Sequence, residues 1–278
     1  MKHYAVIGSP IGHTMSPFIH NRLFDINSIK ADYTAIEVSS QDLNTKFNTV
    51  LNKLDGFNVT IPNKQFIIPL LDDIDACAKL YGSVNTVKNT NGHFSGYTTD
   101  ADGFVMALQS EQIRLDGSVI ILGCGGVARV MAYECIKRGA NITFAVRNQS
   151  MDKCRALCND IRQNFATASV QVCDINTITV GADLLVNATP IGMHPNIDLC
   201  PVNDTVISRC GAVFDAIYNP LDTVLLQKAR ANGSVVCNGM SMLVYQAAKA
   251  QTIWEGVTFD KAEIDYICRL ASAELANK

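Results

Sequence analysis

The sequence of 278 residues predicts an α/β fold with two domains. Short apolar runs that favour strands alternate with helix-forming segments along nearly the whole chain, which is typical of βαβ units and mostly parallel sheets. The alternation starts afresh after Leu115-Asp116-Gly117, and a chain of this length can form two hydrophobic cores. A long helix and a short turn over residues 101–117 separate the two series. We therefore expect two domains joined without a loose linker.

The first series contains five predicted strands and three predicted helices. The strands are expected at 4–8, 33–38, 56–60, 83–88 and 93–97, and the helices from 16, at 40–51 and from 101 to about 112. Asn91-Gly92 is expected to form the tight turn of a hairpin between the last two strands. Ser16 is the predicted N-cap of the first helix, and Pro17 suits its first turn because proline lacks an N–H.

The second series contains six predicted strands. They are expected at 118–122, 141–146, 169–173, 183–187, 213–215 and 235–237, with helices at 126–138, 151–163, 221–231, 241–251 and 260–276. The first strand runs directly into the Gly-rich segment Gly123-Cys124-Gly125-Gly126-Val127-Ala128, which opens a helix. This is the context of a dinucleotide-binding turn, where a helix N-terminus meets a pyrophosphate. The candidate cofactor-binding residues are Gly123, Gly125, Gly126, Val127 and Ala128.

The next strand ends in Arg147-Asn148-Gln149. A carboxylate at this point would bind the ribose 2′-OH of NAD, whereas an arginine suits the 2′-phosphate of NADP. We therefore predict NADP as the cofactor, held by Arg147 with Arg129 or Lys153 assisting. The alternative is that Arg147 is a solvated arginine at a strand end. Further along, the segment from Asn187 to Met193 follows a strand and could cross the nicotinamide ribose.

The overall composition excludes several classes of protein. Hydrophobic residues make up 48% of the chain and charged residues 18%, and the net charge is −3. These values indicate a globular protein without bulk-charge affinity for nucleic acid or acidic membranes. No apolar run reaches the length of about 18 residues that a membrane span needs, and the N-terminal segment does not resemble a signal peptide. We expect a cytoplasmic protein.

The cysteines and histidines do not indicate a metal site. None of the ten cysteines forms a Cys-x-x-Cys pair, and the five histidines do not cluster with them. Structural zinc sites usually show such pairs at short spacing. The cysteines lie mostly in apolar segments, which is typical of small core residues in a reduced protein.

Lys64 follows a predicted strand at once. Pro62 has a fixed φ and no N–H, so it ends the strand at 56–60. Asn58, Thr60 and Lys64 are thus expected at the carboxyl end of a parallel strand, where open α/β sheets bind ligands. A lysine in such a crevice can lose solvation and exchange protons near neutral pH. The alternative is a solvated lysine at the start of a helix.

Further polar side chains precede the Gly-rich turn. They are Thr14 and Ser16, Asn85, and Thr99 and Asp100. Neutral donors and acceptors dominate, which suits a small polyhydroxylated ligand because each hydroxyl needs a partner once water is excluded. Purely structural roles stay open at this point: Ser16 and Asp100 as helix N-caps and Asn85 as a turn residue.

The motifs occur in the same order as in a known family. They read Ile-Gly-x-Pro-Ile-x-His…Ser-Pro, Asn-Val-Thr-Ile-Pro-x-Lys, Val-Asn-Thr, Thr-Asp-x-x-Gly, Gly-x-Gly-Gly-x-Ala-Arg, Asn-Ala-Thr-Pro-x-Gly-Met, Asp-x-x-Tyr-x-Pro and Gly-Met-x-Met-Leu-x-x-Gln. In this combination, over essentially the whole chain, the sequence resembles the shikimate dehydrogenase family. The resemblance implies an enzyme that interconverts 3-dehydroshikimate and shikimate with NADP(H) in aromatic amino-acid biosynthesis.

The resemblance also implies the domain plan. Residues 1–101 would form the substrate-binding catalytic domain, completed by C-terminal helices in 239–278, and residues 102–238 a Rossmann-like NADP-binding domain, with the active site in the cleft between them. Lys64 and Asp100 are the implied catalytic pair. The implied substrate pocket is lined by Thr14, Ser16, Asn58, Thr60, Asn85, Thr99 and Gln246. Tyr218 and Gly239 would lie near the nicotinamide and substrate, with Asn187 and Thr189 also on the cofactor side.

Three positions depart from the family pattern. Thr14 stands where serine is usual, Thr98 where asparagine is usual, and Val-Arg-Asn replaces Asn-Arg-Thr around Arg147. The first change leaves open a quinate/shikimate dehydrogenase that uses NAD(P) in hydroaromatic catabolism. A non-catalytic ligand-sensing protein is a third alternative, although such a chain should lack the lysine or the intact Gly-rich turn. We expect a monomer or a homodimer.

Overall fold

The structure is a computed structural model that describes residues 1–12 and 14–277. His13 of the first motif lies outside the described residues. The chain forms two compact units, one of Met1–Gly103 together with the residues from Leu243 on, and one of Phe104–Met242. The division points fall within the helices Asp100–Ser110 and Gly239–Glu255, close to the predicted boundaries at 101/102 and 238/239. A continuous helix carries no linker signal, so the sequence marks these points only approximately.

The first unit contains a six-stranded mixed sheet. Its strands are β1 Lys2–Gly8, β2 Ala31–Glu37, β3 Gly56–Val59, β4 Asp73–Ile74, β5 Thr86–Thr90 and β6 His93–Tyr97, in the order β2-β1-β3-β5-β6-β4. Its helices are α1 Ser16–Ile26, α2 Leu43–Thr49, α3 Ala76–Tyr81 and the beginning of α4 Asp100–Ser110. β1 lies between the parallel strands β2 and β3, and β5 is antiparallel to both β3 and β6.

The second unit contains a six-stranded sheet that is parallel throughout. Its strands are β7 Ser118–Leu122, β8 Asn141–Val146, β9 Val170–Asp174, β10 Leu184–Asn187, β11 Ala212–Asp215 and β12 Val235–Cys237, and its helices are α5 Gly126–Ile136, α6 Met151–Asn164, α7 Asp204–Ile207 and α8 Val224–Ala231. Two further helices follow, α9 Gly239–Glu255 and α10 Lys261–Ala276. This is the predicted α/β class with a Rossmann-like second unit.

The strand order of the second unit positions a ligand site. The order is β12-β11-β10-β7-β8-β9, so the chain leaves β7 in one direction and returns on its other side at β10. Such a reversal opens a crevice at the carboxyl ends of the two strands. The Gly-rich turn follows β7, and the segment beginning with Ala188 follows β10. Both predicted cofactor segments therefore meet at this crevice.

The first sheet is covered on both faces. Ala5 and Ile7 of β1 pack into one apolar cluster, whereas Tyr4 points to the opposite face. There Tyr4 stacks on Trp254 of α9, with ring centroids 4.5 Å apart. Gly56 allows this contact, since a Cβ at this position would lie 2.6 Å from the Trp254 Nε1 atom. The C-terminal helical part thus returns to the first unit, as predicted.

The predicted N-cap of the first helix and the predicted bounds of the second helix are wrong. Ser16 is the first residue of α1, and the N-cap position is Met15, without a side-chain cap. The Ser16 N–H instead donates to the Thr14 hydroxyl at 3.2 Å, and Ser16 is the first residue inside the helix. The helix predicted at 40–51 is shorter, Leu43–Thr49, and a separate 3₁₀ turn covers Leu51–Lys53.

Other differences arise from local capping and from long-range strand pairing. α8 begins at Val224 instead of 221 because the Thr223 side chain accepts the N–H of Leu226. The short elements α3 and β4 carry no periodic sequence signal and were not predicted. No helix in residues 1–12 and 14–277 is both long and apolar enough to span a membrane.

Candidate active site

Lys64 and Asp100 form an ion pair in the first unit. Lys64 lies in the turn after β3, and Asp100 is the first residue of α4. The Lys64 Nζ atom is 2.6 Å from Asp100 Oδ2, and the two side chains are 26% and 5% exposed, respectively. Within the described part of the chain, Asp100 is the one hydrogen-bond partner of this ammonium. The ammonium therefore keeps donors available for a ligand while a buried carboxylate holds it in place.

Asn85 fixes the second oxygen of the carboxylate. Its Nδ2 atom donates to Asp100 Oδ1 at 2.8 Å and also lies 3.1 Å from both Thr99 Oγ1 and Gln246 Oε1. The Asn85 Oδ1 atom accepts the Thr99 N–H at 2.7 Å. Hydrogen bonds to an ionised group are stronger and more directional than neutral ones. Five of the predicted residues are thus joined in one network: Lys64, Asp100, Asn85, Thr99 and Gln246.

The remaining predicted substrate residues of this unit differ in their bonding. The Thr14 and Ser16 hydroxyls lie 3.2 Å apart and are half-buried. Both amide hydrogens of Asn58 are used inside the protein, on the Asn85 carbonyl at 3.1 Å and on Thr86 Oγ1 at 2.9 Å. Thr60 is half-buried, and its hydroxyl has no hydrogen bond within the described residues. Asn58 is therefore anchored, whereas the hydroxyls of Thr14, Ser16 and Thr60 remain open to a ligand.

The sequence did not predict the buried layer of Tyr33 and His20 that supports Asn58. The Tyr33 hydroxyl donates to Asn58 Oδ1 at 2.6 Å, and the Tyr33 ring stacks on His20 with centroids 4.0 Å apart. Burial raises the pKa of Tyr33 and lowers that of His20 to about 3. Thr86 connects this layer to the network, since its Oγ1 donates to Asn85 Oδ1 at 3.1 Å. Thr86 could have been found as the last residue of the Val-Asn-Thr motif, but Tyr33 and His20 carry no local signal.

The second unit contains a cavity of about 310 Å³ at the carboxyl ends of β7 and β10. Gly123, Gly125, Arg147, Lys153 and Thr189 are among the residues that line it. Ideal Cβ atoms on Gly125 and Gly126 would meet nothing within 4 Å, so the backbone faces open space there. Gly125 is the N-cap of α5, whose unpaired N–H groups suit a phosphate. A dinucleotide pyrophosphate fits these features.

The basic residues of this cavity fit the predicted cofactor in part. Arg147 is exposed and has no ion pair within residues 1–12 and 14–277, and Lys153 lines the same cavity. Arg129, the other residue predicted to assist, is engaged elsewhere in the structure. Its Nη2 atom is 2.5 Å from Asp160 Oδ2, and its guanidinium lies over the Tyr133 ring at 5.3 Å. Arg129 is thus engaged in packing α5 against α6.

Val127 and Ala128 lie in the first turn of α5, and the Ala128 side chain is fully buried. Ala128 can therefore contact a cofactor through its backbone N–H, and Val127 is half-buried.

Asn187 lies behind the cavity wall. Its side chain is fully buried, and its Oδ1 atom accepts both the N–H and the hydroxyl of Thr189, at 3.1 and 2.7 Å. Its Nδ2 atom donates to Asp215 Oδ1 at 3.0 Å. Burial raises the pKa of Asp215 to about 6 in spite of this bond and one from Thr223. Asn187 thus holds the loop that presents Thr189 to the cavity.

The structure places Tyr218 and Gly239 in the second unit. Tyr218 follows β11, is half-buried, and has a pKa raised by this burial. A Cβ at Gly239 would lie 2.2 Å from the Ala216 carbonyl oxygen, so the start of α9 requires glycine. In the described residues, no group of three or more histidine, cysteine or acidic side chains could hold a metal ion.

Comparison with known proteins agrees with these features. Residues 6–87 match the family model of the shikimate dehydrogenase substrate binding domain. The NADP(+)-dependent shikimate dehydrogenase of Methanocaldococcus jannaschii is 40% identical over 258 residues, covering 91% of this chain and 90% of that relative. The corresponding enzyme of Caldanaerobacter subterraneus subsp. tengcongensis is 35% identical over 264 residues, covering 94% of each chain.

A solved structure shows the same fold over both units. Shikimate 5-dehydrogenase from Thermus thermophilus, in complex with NADP(H) and shikimate, superposes with a TM-score of 0.87 at 29% identity, covering 98% of this chain and 100% of that one. The motifs, the two units and the extent of these matches agree along the whole chain. The protein therefore belongs to the shikimate dehydrogenase family.

Proposed function

We propose that the protein is an NADP-dependent shikimate dehydrogenase, which reversibly reduces 3-dehydroshikimate to shikimate in the pathway to chorismate and the aromatic amino acids. The observation that carries this proposal is the half-buried Lys64 ammonium held 2.6 Å from the buried Asp100 carboxylate. Reduction of a ketone requires a proton at its oxygen, and a lysine with free N–H donors beside an open pocket can supply it.

Each residue of the network has a separate proposed task. Lys64 donates a proton to the carbonyl oxygen at C3 of the substrate during reduction and accepts it in the reverse direction. Asp100 orients the ammonium, and Asn85 orients Asp100 by binding its other oxygen. The geometry supports this division, because Asp100 and Asn85 are buried whereas the Lys64 side chain is 26% exposed.

The substrate would be bound by neutral donors around the pair. We assign the hydroxyls of Thr14 and Ser16 to the substrate carboxylate, and Thr60 and Gln246 to its hydroxyl groups. Gln246 lies in the part of α9 that belongs to the first unit, and its Oε1 atom is 3.1 Å from Asn85 Nδ2. A polyhydroxylated ligand needs such partners, since a buried hydroxyl without one costs about 1–3 kcal/mol.

NADP would be held by the second unit. The N–H groups of Gly125, Gly126, Val127 and Ala128 would bind the pyrophosphate, Arg147 and Lys153 would bind the 2′-phosphate, and Thr189 would bind the ribose. Bound NADPH supplies the hydride. We further propose that Tyr218 and Gly239 lie at the nicotinamide end, although both also have packing roles.

Kinetics with two substrates and two cofactors test the proposal. We expect the highest kcat/KM with shikimate and NADP, and a loss of kcat by about 10²–10⁴-fold in Lys64→Ala. A folded Lys64→Ala protein with near-normal kcat would remove Lys64 from the mechanism. Any oxidation of NADPH by 3-dehydroshikimate excludes the ligand-sensing alternative.

A quinate/shikimate dehydrogenase is the second candidate. The observation that favours it is Thr14, whose extra methyl group changes the surface beside the proposed carboxylate site. A kcat/KM for quinate equal to or above that for shikimate would establish this alternative, and Thr14→Ser would then shift the ratio toward shikimate.

The cellular location and the oligomeric state complete the proposal. We propose a cytoplasmic location, since all ten cysteines are free thiols, as is usual in a reducing compartment. The enzyme is proposed to act as a monomer or homodimer, which light scattering on the purified protein would decide.

A further inference from the structure

Three thiols meet beneath the proposed cofactor cavity. Cys124 belongs to the Gly-rich turn and lines the cavity. Cys154 and Cys158 lie one turn apart on α6, and both are buried, with exposures of 0% and 2%. The Cys154 thiol interacts with those of Cys158 and Cys124. No other part of the catalytic proposal uses these groups.

The turn and the helix are already in contact at this point. The Cys124 Sγ atom lies 3.9 Å from the carbonyl oxygen of Ser150, the residue before α6. Cys124 is half-buried and opens to a cavity of about 310 Å³, whereas Cys154 is fully buried. A small oxidant in the cavity would thus meet Cys124 first, with Cys154 behind it.

We propose that Cys124 and Cys154 form a peroxide-sensitive modification site whose disulfide lowers the affinity for NADP(H). The proposal rests on the cofactor assignment of the proposed function. Hydrogen peroxide is the oxidant, and the site would couple the redox state of the cell to cofactor binding.

The chemistry balances with one peroxide per disulfide. The Cys124 sulfur, as thiolate, attacks one peroxide oxygen and breaks the O–O bond, which gives a sulfenic acid and hydroxide; with the proton of the original thiol this hydroxide becomes water. The Cys154 sulfur then attacks the Cys124 sulfur and breaks its S–O bond. The departing hydroxide takes the Cys154 proton, giving a second water. Two electrons pass from the two thiols to the peroxide.

The position of Cys154 fits the second step. The hydrogen bond to Cys158, then burial, raise the pKa of Cys154, so Cys154 is the second sulfur to react and gives its proton to the departing hydroxide as it attacks. Cys158 lies on the same helix, but the groups that shift its pKa do not include Cys124, and we assign it no bond to Cys124.

The bond would displace the surface that binds pyrophosphate. Both thiols are free in the structure, so a disulfide, with its sulfur–sulfur distance of about 2.05 Å, would draw Cys124 and the turn that carries it toward α6. Gly125 and Gly126 follow directly, and their N–H groups border the open space assigned to the phosphates. We therefore expect the Kd for NADPH to rise at least tenfold on oxidation.

Binding and peptide mapping on the full-length protein test the proposal. The reduced protein is titrated with NADPH, oxidised with hydrogen peroxide, titrated again, and then treated with dithiothreitol. The expected result is a Cys124–Cys154 peptide pair in the mass map, a Kd raised at least tenfold, and recovery on reduction. NADPH bound beforehand should protect Cys124 from oxidation.

Two buried positions one turn apart on α6 provide matched variants. Cys158→Ala should form the disulfide and lose affinity as the parent does. Cys154→Ala should form no disulfide and leave Cys124 as a sulfenic acid that dimedone labels. If Cys154→Ala does not fold, the peptide map of the parent protein and its protection by NADPH still test the proposed disulfide.

The proposal is overturned if the parent protein binds NADPH but forms no Cys124–Cys154 pair, or if the cross-linked protein binds NADPH as tightly as the reduced one. Failure of the reduced protein to bind NADPH would instead refute the cofactor assignment itself. The two failures are thus distinguishable.

Discussion

Replacing Asn85 by alanine tests whether the buried network positions the Lys64 ammonium through Asp100. The change removes a 2.8 Å hydrogen bond to Asp100 Oδ1 and leaves the Thr99 N–H without its acceptor. A hydrogen bond to a charged group contributes about 1.5–3 kcal/mol. If that energy holds the carboxylate in its working orientation, kcat should fall by about 10- to 100-fold, since about 1.4 kcal/mol corresponds to a tenfold change in rate.

Thr86→Val is the matched control for Asn85→Ala. Thr86 is fully buried in the same network and donates to Asn85 Oδ1 at 3.1 Å, but no bond joins it to Asp100. A neutral hydrogen bond contributes only about 0.5–1.5 kcal/mol, so kcat should fall less than about tenfold. Both variants lose buried hydrogen bonds, so both should lower the free energy of unfolding in urea, by about 1–3 kcal/mol.

Steady-state kinetics with shikimate and NADP, beside urea unfolding, separate catalysis from stability. In a Lys64→Ala background the Asn85 change should have little further effect on kcat, because its role acts through the lysine. The reasoning is refuted if Asn85→Ala keeps kcat within about threefold of the parent enzyme, or if Thr86→Val lowers kcat equally.

Three further predictions concern the cofactor, the pH dependence and the packing of the first sheet. Arg147→Gln should raise KM for NADP by about 10- to 100-fold and leave KM for NAD nearly unchanged, because only NADP carries the 2′-phosphate; equal effects on both cofactors would contradict the assignment. Burial lowers the pKa of His20 to about 3, so the unfolded chain binds more protons below its ordinary pKa. The contribution of His20 to the free energy of unfolding is therefore present above about pH 6.5. It should fall by about 2 kcal/mol between about pH 6.5 and 5. Urea unfolding of His20→Phe should not show this pH dependence. Gly56→Ala should destabilise the protein by about 1–3 kcal/mol, since the new Cβ would lie 2.6 Å from Trp254 Nε1; an unchanged urea midpoint would show that the tryptophan can move aside.

The sequence predicted the parts of the fold whose causes are local. The turn at Gly123–Gly126 was found because an apolar strand, glycines and a helix start follow one another directly. Ser16 shows the limit of this reasoning. Its residue type favours an N-cap, yet the neighbouring Thr14 hydroxyl accepts its N–H and it becomes the first residue of the helix. Cap preferences are modest energies, and nearby side chains can reverse them.

Contacts between residues far apart in the chain could not be predicted from local sequence patterns. Asn85 and Gln246 meet although they are 161 positions apart, and only the family resemblance indicated this pairing. Arg129 was predicted to assist the cofactor because its sequence position is suitable. Asp160, 31 positions away, instead holds it in an ion pair. Such pairings depend on how helices pack, and no local pattern specifies that.

The contact between Tyr4 and Trp254 has a consequence for the order in which the chain folds during synthesis. Tyr4 leaves the ribosome before the whole second unit, and the side chain that covers it lies in α9, 250 positions later in the described chain. One face of the first sheet therefore stays uncovered while the whole second unit is made. Because domains fold as units during translation, the second unit can finish before the first. Apolar surface on the nascent first unit is then the part of this protein that chaperones would have to protect longest.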